Sequence, residues 1–335
     1  MGDISGKPYD FVFIDPSLLR EGPSLRGVAG HHLFSADRLS GEIRFKLKAL
    51  TPLHIGGGMI EVREVGGRER AISTHASFKS IPVIPGSSIK GAVRVIVEAV
   101  SPSCMRALGS KSRRHLPKAI KGGCSMDKGR LCPACRLFGA PGWLGAAWFE
   151  DIPFPRESLT TVKTPPLWTP GRGGGKQLPA VYLSEDDRCA KGWKMYFHMR
   201  PAEGEELRAA IKAGAEAAGR VAFENLSEGE LGLLIMGMGY RRERSFPIKI
   251  GGAKPAGLGS VRISIERIRL LDPEGLRKTG RAGWRELSGE ELAGRIAGWI
   301  DAAFKEGLIL EEQLKDLDWM LDDRGFQLQA PSGTY

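Results

Sequence analysis

The stretch Ile84-Pro85-Gly86-Ser87-Ser88-Ile89-Lys90-Gly91, which runs straight into the apolar segment from Ala92 to Val100, constrains this chain more than any other. Pro85 and Gly86 break a preceding strand, Ser87 or Ser88 can cap the helix that follows, and Lys90 stands in its first turn. Unpaired N–H groups at a helix start, the helix dipole and a lysine together suit a phosphate. An ordinary capped helix uses the same residues, so the turn alone leaves both readings open.

The charge narrows the choice. With 335 residues the chain can build one elaborated domain or two modest ones around a substantial core, and its formal net charge of +10 favours a polyanionic partner. The excess is local. Arg106, Lys111, Arg113, Arg114, Lys118, Lys121, Lys128, Arg130 and Arg136 fall between Cys104 and Arg136, opposed only by Asp127. No apolar run reaches the roughly 18 residues of a transmembrane helix, and Met1-Gly-Asp-Ile-Ser lacks the start of a signal peptide. The expectation is a soluble cytoplasmic protein with no membrane partner.

Four of the five cysteines crowd into the same basic segment. Cys132-Pro-Ala-Cys135 is a knuckle that places two thiolates on one tetrahedral metal, with Cys124 and Cys104 upstream as the remaining ligands. Four thiolates suit structural Zn²⁺ and leave no open position for catalysis. His115 is a rival fourth ligand, buried or redox-active cysteines are the alternative, and Cys189 stands apart as a free thiol.

Along the chain, Glu42 to Leu50 alternates as a half-buried strand and ends in Thr51-Pro-Leu-His54-Ile-Gly56-Gly57-Gly58. Residues 59–80 are polar and poorly patterned, Ser80 to Ile84 reads as a short strand, and Leu144 to Ile152 as another. Pro153 to Pro179 is a long proline- and glycine-rich loop or hairpin. Trp193 to Met199 reads as a strand, Glu203 to Ala218 as a helix, Glu228 to Met238 as a second helix and Ser260 to Ile268 as a strand. Gly289 to Asp322 forms two amphipathic helices. This order predicts an α+β fold, a split βαβ ferredoxin-like sheet with large insertions, a scaffold shared with RNA-recognition modules. The segment Ile250-Gly-Gly-Ala-Lys254-Pro-Ala-Gly257-Leu-Gly259 lacks Walker spacing. It is either a flexible turn or a close approach to phosphates, with Lys249 and Lys254 supplying charge.

Thr51 to Gly58, Ile84 to Gly91 with Arg94, Cys132-Pro-Ala-Cys-Arg-Leu-Phe-Gly139 and Lys254 to Val261 occur in the order seen in the RAMP superfamily. From about residue 42 to 268 the chain resembles a backbone subunit of a type III CRISPR effector complex, a ribonucleoprotein of antiviral defence. The resemblance implies an RRM-like palm over 42–268, a zinc-containing insertion at 101–140 and a projecting thumb at 153–190. An arm at 1–41 and a helical extension at 269–335 lie outside it. It implies that His54, Gly56, Gly57, Gly58, Ser87, Ser88, Lys90, Arg94, Lys249, Lys254, Gly257 and Gly259 cradle CRISPR RNA. Target RNA, other RAMP subunits and effector-complex proteins would be the further partners. Cleaving members place an aspartate between the first two motifs. Residues 59–80 hold Glu61, Glu64 and Glu69 but no aspartate, which favours holding RNA over cutting it. The alternatives are an endoribonuclease that uses one of these glutamates with Mg²⁺, and a stand-alone zinc-containing nucleic-acid-binding protein.

Overall fold

Ile43, Phe45, Leu47 and Ala49 are buried while Arg44, Lys46 and Lys48 between them are exposed, and that alternation makes β2 (Leu39–Ala49) the middle of a six-stranded sheet. The computed structural model describes residues 6–14, 30–105, 115–117, 123–125, 131–167, 180–184, 189–242, 244–281 and 283–333. β12 (Glu216–Leu226) and β14 (Ser260–Asp272) flank β2 antiparallel. β7 (Ala147–Phe149) lies beyond β12, β13 (Ile248–Lys249) beyond β14, and β15 (Gly283–Ser288) pairs with the far end of β14.

The apolar face of this sheet shares one core with α1 (Gly86–Val100) and α3 (Glu228–Gly237). The helix α3 is apolar nearly all round, which fits a buried position, and its start carries a capping box between Ser227 and Glu230. α5 (Gly289–Lys305) packs on α3 and contributes Trp299 and Ile300 to the same core. Just past α5, the Glu306 carboxylate accepts hydrogen bonds from Ser227 Oγ at 2.8 Å and from the Gly229 N–H at 3.0 Å. Three shorter helices complete the set: α2 (Pro133–Phe138), α4 (Pro273–Thr279) and α6 (Glu311–Met320).

A second sheet has the order β3 (Gly56–Val65), β4 (Arg68–His75), β11 (Glu206–Ile211), β9 (Leu159–Thr164). β5 (Ser77–Phe78), β6 (Ile81–Ile84) and β8 (Ile152–Pro153) form a small third one, and β1 (Tyr9–Phe13) pairs antiparallel with β10 (Gly192–Tyr196). The architecture is mixed α+β. Among the described residues no helix is long and apolar enough to cross a membrane.

Two expectations are corrected. Glu203 to Ala218 is not a helix: it forms β11, a turn at Gly214 with φ +84°, and the start of β12. Its Ala, Glu and Lys content favours helix by only tenths of a kcal/mol per residue, which six residue pairs with β9 and a full ladder with β2 outweigh. Residues 59–80 are likewise not unpatterned: β3 and β4 make a hairpin turned by Gly66 and Gly67, both at positive φ, between the paired residues Val65 and Arg68. Every residue of β3 is exposed, including Met59, Ile60 and Val62, so no buried face imposes alternation on its sequence. Of the thumb-like segment, β8, β9 and residues 180–184 are placed, while 168–179 lie outside the described residues. So do Arg106, Lys111, Arg113, Arg114, Lys118, Lys121, Asp127, Lys128 and Arg130 of the basic segment.

Candidate functional site

The helix α1 starts at Gly86, with Pro85 in the cap position and no side-chain cap, so Ser87 and Ser88 sit inside the first turn instead of capping it. The first N–H, that of Gly86, is already answered by Asp151 Oδ1 at 2.7 Å. What α1 presents is an exposed Ser87, with Ser88 and Lys90 half-buried. Burial, followed by the neighbouring Arg94, pushes the Lys90 pKa down.

The two glycine-rich turns lie against each other. The Gly252 N–H donates to the His54 carbonyl at 2.8 Å and the Gly259 N–H to that of Pro52 at 2.9 Å. A Cβ at Gly257 would lie 2.7 Å from the Arg200 carbonyl oxygen, and one at Gly259 2.1 Å from that of Ile250. The close approach these glycines permit is to the protein's own backbone. Lys249 is buried beneath them and donates to the carbonyls of Gly257 at 3.3 Å and Leu258 at 3.0 Å.

Ser87, Ser88, Lys249, Gly251 and Lys254, predicted from separate motifs apart from Gly251, line one cavity of about 600 Å³. Burial, and then the adjacent Lys254, push the Lys249 pKa down to about 7; burial also lowers that of Lys254. A native state that releases the Lys249 proton near pH 7, against about 10.5 for an unperturbed lysine, binds fewer protons than the unfolded chain between those values. Stability should therefore rise with pH across that window. Urea midpoints measured at about pH 6.5 and about pH 9 check this; Lys249→Met should flatten the rise, and a midpoint that falls with pH would contradict it.

His54 does not line this cavity. It is buried, with Nδ1 2.7 Å from the Ala209 carbonyl, and burial lowers its pKa. Its neighbour His75 had no motif to mark it. The His75 Nδ1 accepts the Ile55 N–H at 3.1 Å, and burial followed by the nearby His54 brings its pKa down to about 4. Gly56, Gly57, Glu61, Thr74 and His75 line a second cavity of about 500 Å³ at the base of the β3–β4 hairpin. Gly58 does not line it, and Glu61 is ion-paired with Arg63. Glu64 and Glu69 face each other across the exposed hairpin.

The four cysteines converge. The Sγ atoms of Cys104, Cys124, Cys132 and Cys135 all lie within 4.8 Å of one another, with 3.5 Å from Cys104 to Cys135 and 3.7 Å from Cys104 to Cys132. Tetrahedral Zn–S bonds of about 2.3 Å require S–S edges near 3.8 Å, so the donor set fits zinc. Cys132 caps α2, accepting the Cys135 N–H on its sulfur, while its own N–H reaches Cys124 Sγ at 3.1 Å. His115, the rival ligand, is not part of this cluster.

Arg94 and Arg136 serve the interior. Arg94 binds Glu98 at 2.7 Å, the Gly139 carbonyl at 3.1 Å and Cys135 Sγ at 3.5 Å, which ties α1 to the cysteine cluster instead of the lysine-lined cavity. Arg136, counted above with the basic segment, is fully buried: it lies 3.4 Å from Glu230, donates to the Asn225 carbonyl at 2.7 Å and stacks on Trp143.

The family model of the RAMP superfamily matches residues 46–262, nearly two-thirds of the chain. The chain belongs to the RAMP superfamily. Membership gives it a CRISPR-associated, RNA-binding role in general terms, with CRISPR RNA and effector-complex proteins as partners. The RAMP span begins within β2 and closes in β14, and it takes in both glycine turns, α1 and the cysteine cluster. No curated protein matches the chain.

Proposed function

We propose that the chain is a CRISPR-RNA-binding backbone subunit of a type III effector complex, with the central sheet and its helices as a ferredoxin-like palm and the segment 153–190 as a thumb. The observation that carries this reading is the meeting of Ser87, Ser88, Lys249 and Lys254 in one cavity within the RAMP span. Hydroxyls and ammonium groups of this kind bind phosphates without reading bases, which suits a subunit whose specificity comes from guide pairing. The subunit holds RNA and does not cut it. Residues 59–80 lack aspartate, Glu61 is neutralised by Arg63, and Glu64 and Glu69 stand away from both cavities.

The chain purified from its source should carry CRISPR RNA and leave complementary RNA uncut in Mg²⁺. Lys254→Met should weaken RNA binding uniformly across sequences and reduce the slope of log K against log salt by about one. An unchanged slope would remove Lys254 from the phosphate contacts, and co-purification without any RNA would defeat the proposal.

A further inference from the structure

Two sulfurs of the cysteine cluster draw hydrogen bonds from the backbone. The Cys132 N–H donates to Cys124 Sγ at 3.1 Å, and the N–H groups of Cys104 and Cys135 donate to Cys132 Sγ at 3.5 and 3.4 Å. Bonds of this kind come with the fold of the knuckle, whatever side chains surround it. Cys135 Sγ is served differently: its donor is Arg94 Nη2 at 3.5 Å, a side chain 41 positions away on α1. The rest of that guanidinium is anchored. Nε donates to Glu98 at 2.7 Å, an acid whose side chain is 1 % exposed, and Nη1 donates to the Gly139 carbonyl at 3.1 Å. Glu98 stands one turn further along α1, so the helix carries the acid that aims its own arginine. Gly139 closes α2, so one side chain holds both the second thiol of the knuckle and the end of the helix that follows it. Arg94 does not line the lysine-lined cavity.

We propose that Arg94 is a positioning residue of the metal site: its guanidinium hydrogen-bonds the Cys135 thiolate and fixes α2 against α1, so that the four sulfurs retain zinc. The proposal rests on the zinc assignment and is independent of RNA binding. Four thiolates on one divalent ion leave a surplus of negative charge in a half-buried place, where a hydrogen bond from a guanidinium to charged sulfur is stronger than one between neutral groups. Donors behind the ligands also set the direction in which each ligand points, and losing one typically weakens metal binding by about 10–100-fold. Arginine suits this place because its planar fork reaches three acceptors at once, a carboxylate, a carbonyl and a sulfur, which a lysine ammonium on a single stem cannot do in the same geometry.

The test uses the full chain loaded with zinc or with cobalt. Removing the guanidinium alone would strand Glu98, so the deciding variant combines Arg94→Met with Glu98→Met and takes out both partners of the ion pair. In competition with a chromogenic chelator it should hold zinc about 10–100-fold more weakly than wild type. In the cobalt form, loss of the hydrogen bond to sulfur should move the thiolate-to-cobalt charge-transfer band to longer wavelength, a change that a purely structural role for Arg94 would not produce. Arg94→Lys keeps the charge and should show both effects at reduced size. Wild-type zinc affinity and an unmoved band in the double variant would overturn the proposal, and the same result in Arg94→Lys would overturn it even if the double variant fails to fold. Unchanged zinc affinity beside a loss of RNA binding like that of Lys254→Met would make Arg94 an RNA contact instead. A wild-type chain that takes up neither metal would remove the zinc assignment underneath.

Discussion

Serine at both Cys132 and Cys135 should abolish zinc binding, from about one ion per chain to none, and lower stability by on the order of 5 kcal/mol or more. The size follows from what the cluster fastens. Cys104 follows the end of α1, Cys124 lies within the basic insertion, and Cys132 and Cys135 open α2, so four sulfurs within 4.8 Å join three segments up to 31 residues apart, beside the main core that α2 enters with Ala134, Leu137 and Phe138. Without an ion four thiols crowd one half-buried space, and with serine at position 135 Arg94 loses its sulfur partner. Elemental analysis and a thermal melt check the outcome, with Cys189→Ser as a control outside the cluster. Undiminished zinc and an unchanged melt in the double variant would refute the metal assignment.

Glu230→Ala should cost about 3–5 kcal/mol, because it strands a buried cation. Glu230 is 3 % exposed; it accepts the Ser227 N–H at 2.8 Å and pairs with Arg38 at 3.1 Å and with Arg136 at 3.4 Å. Arg136 is fully buried beneath Trp143 and cannot turn to water. Glu230→Gln keeps an acceptor for the capping box and should cost less. Combining Glu230→Gln with Arg136→Met should cost less than the sum of the single changes, since the buried Arg136 charge is then removed together with its partner, while Arg38 is partly exposed to water. Urea midpoints with unchanged slopes give these values, and a loss below about 1 kcal/mol for Glu230→Ala would show that water reaches Arg136.

What the chain revealed before its structure depended on how its residues are buried. β2 and the helices α1, α5 and α6 were legible because each has one wet face and one dry face, so their apolar residues recur at 2 or 3.6 positions. The hairpin from 56 to 75 was not, because β3 is exposed throughout; only Gly66-Gly67 between Val65 and Arg68 signalled its turn. Glu203 to Ala218 misled because local helix preference and long-range pairing disagree there, and a sequence window contains only the first. The four thiols were readable from spacing alone. Asp151 and His75 were not, since each acquires its meaning from a segment distant in sequence.

The Glu306 carboxylate at the start of α3, and the Trp299 and Ile300 side chains beside it, lie some forty residues past the end of the RAMP match. The stretch recognisable by descent is therefore shorter than the stretch that folds as a unit. A fragment cut at the family's edge would expose the apolar flank of α3 and leave the Gly229 N–H in its first turn without its acceptor, so comparative alignments are a poor guide to where this chain can be divided.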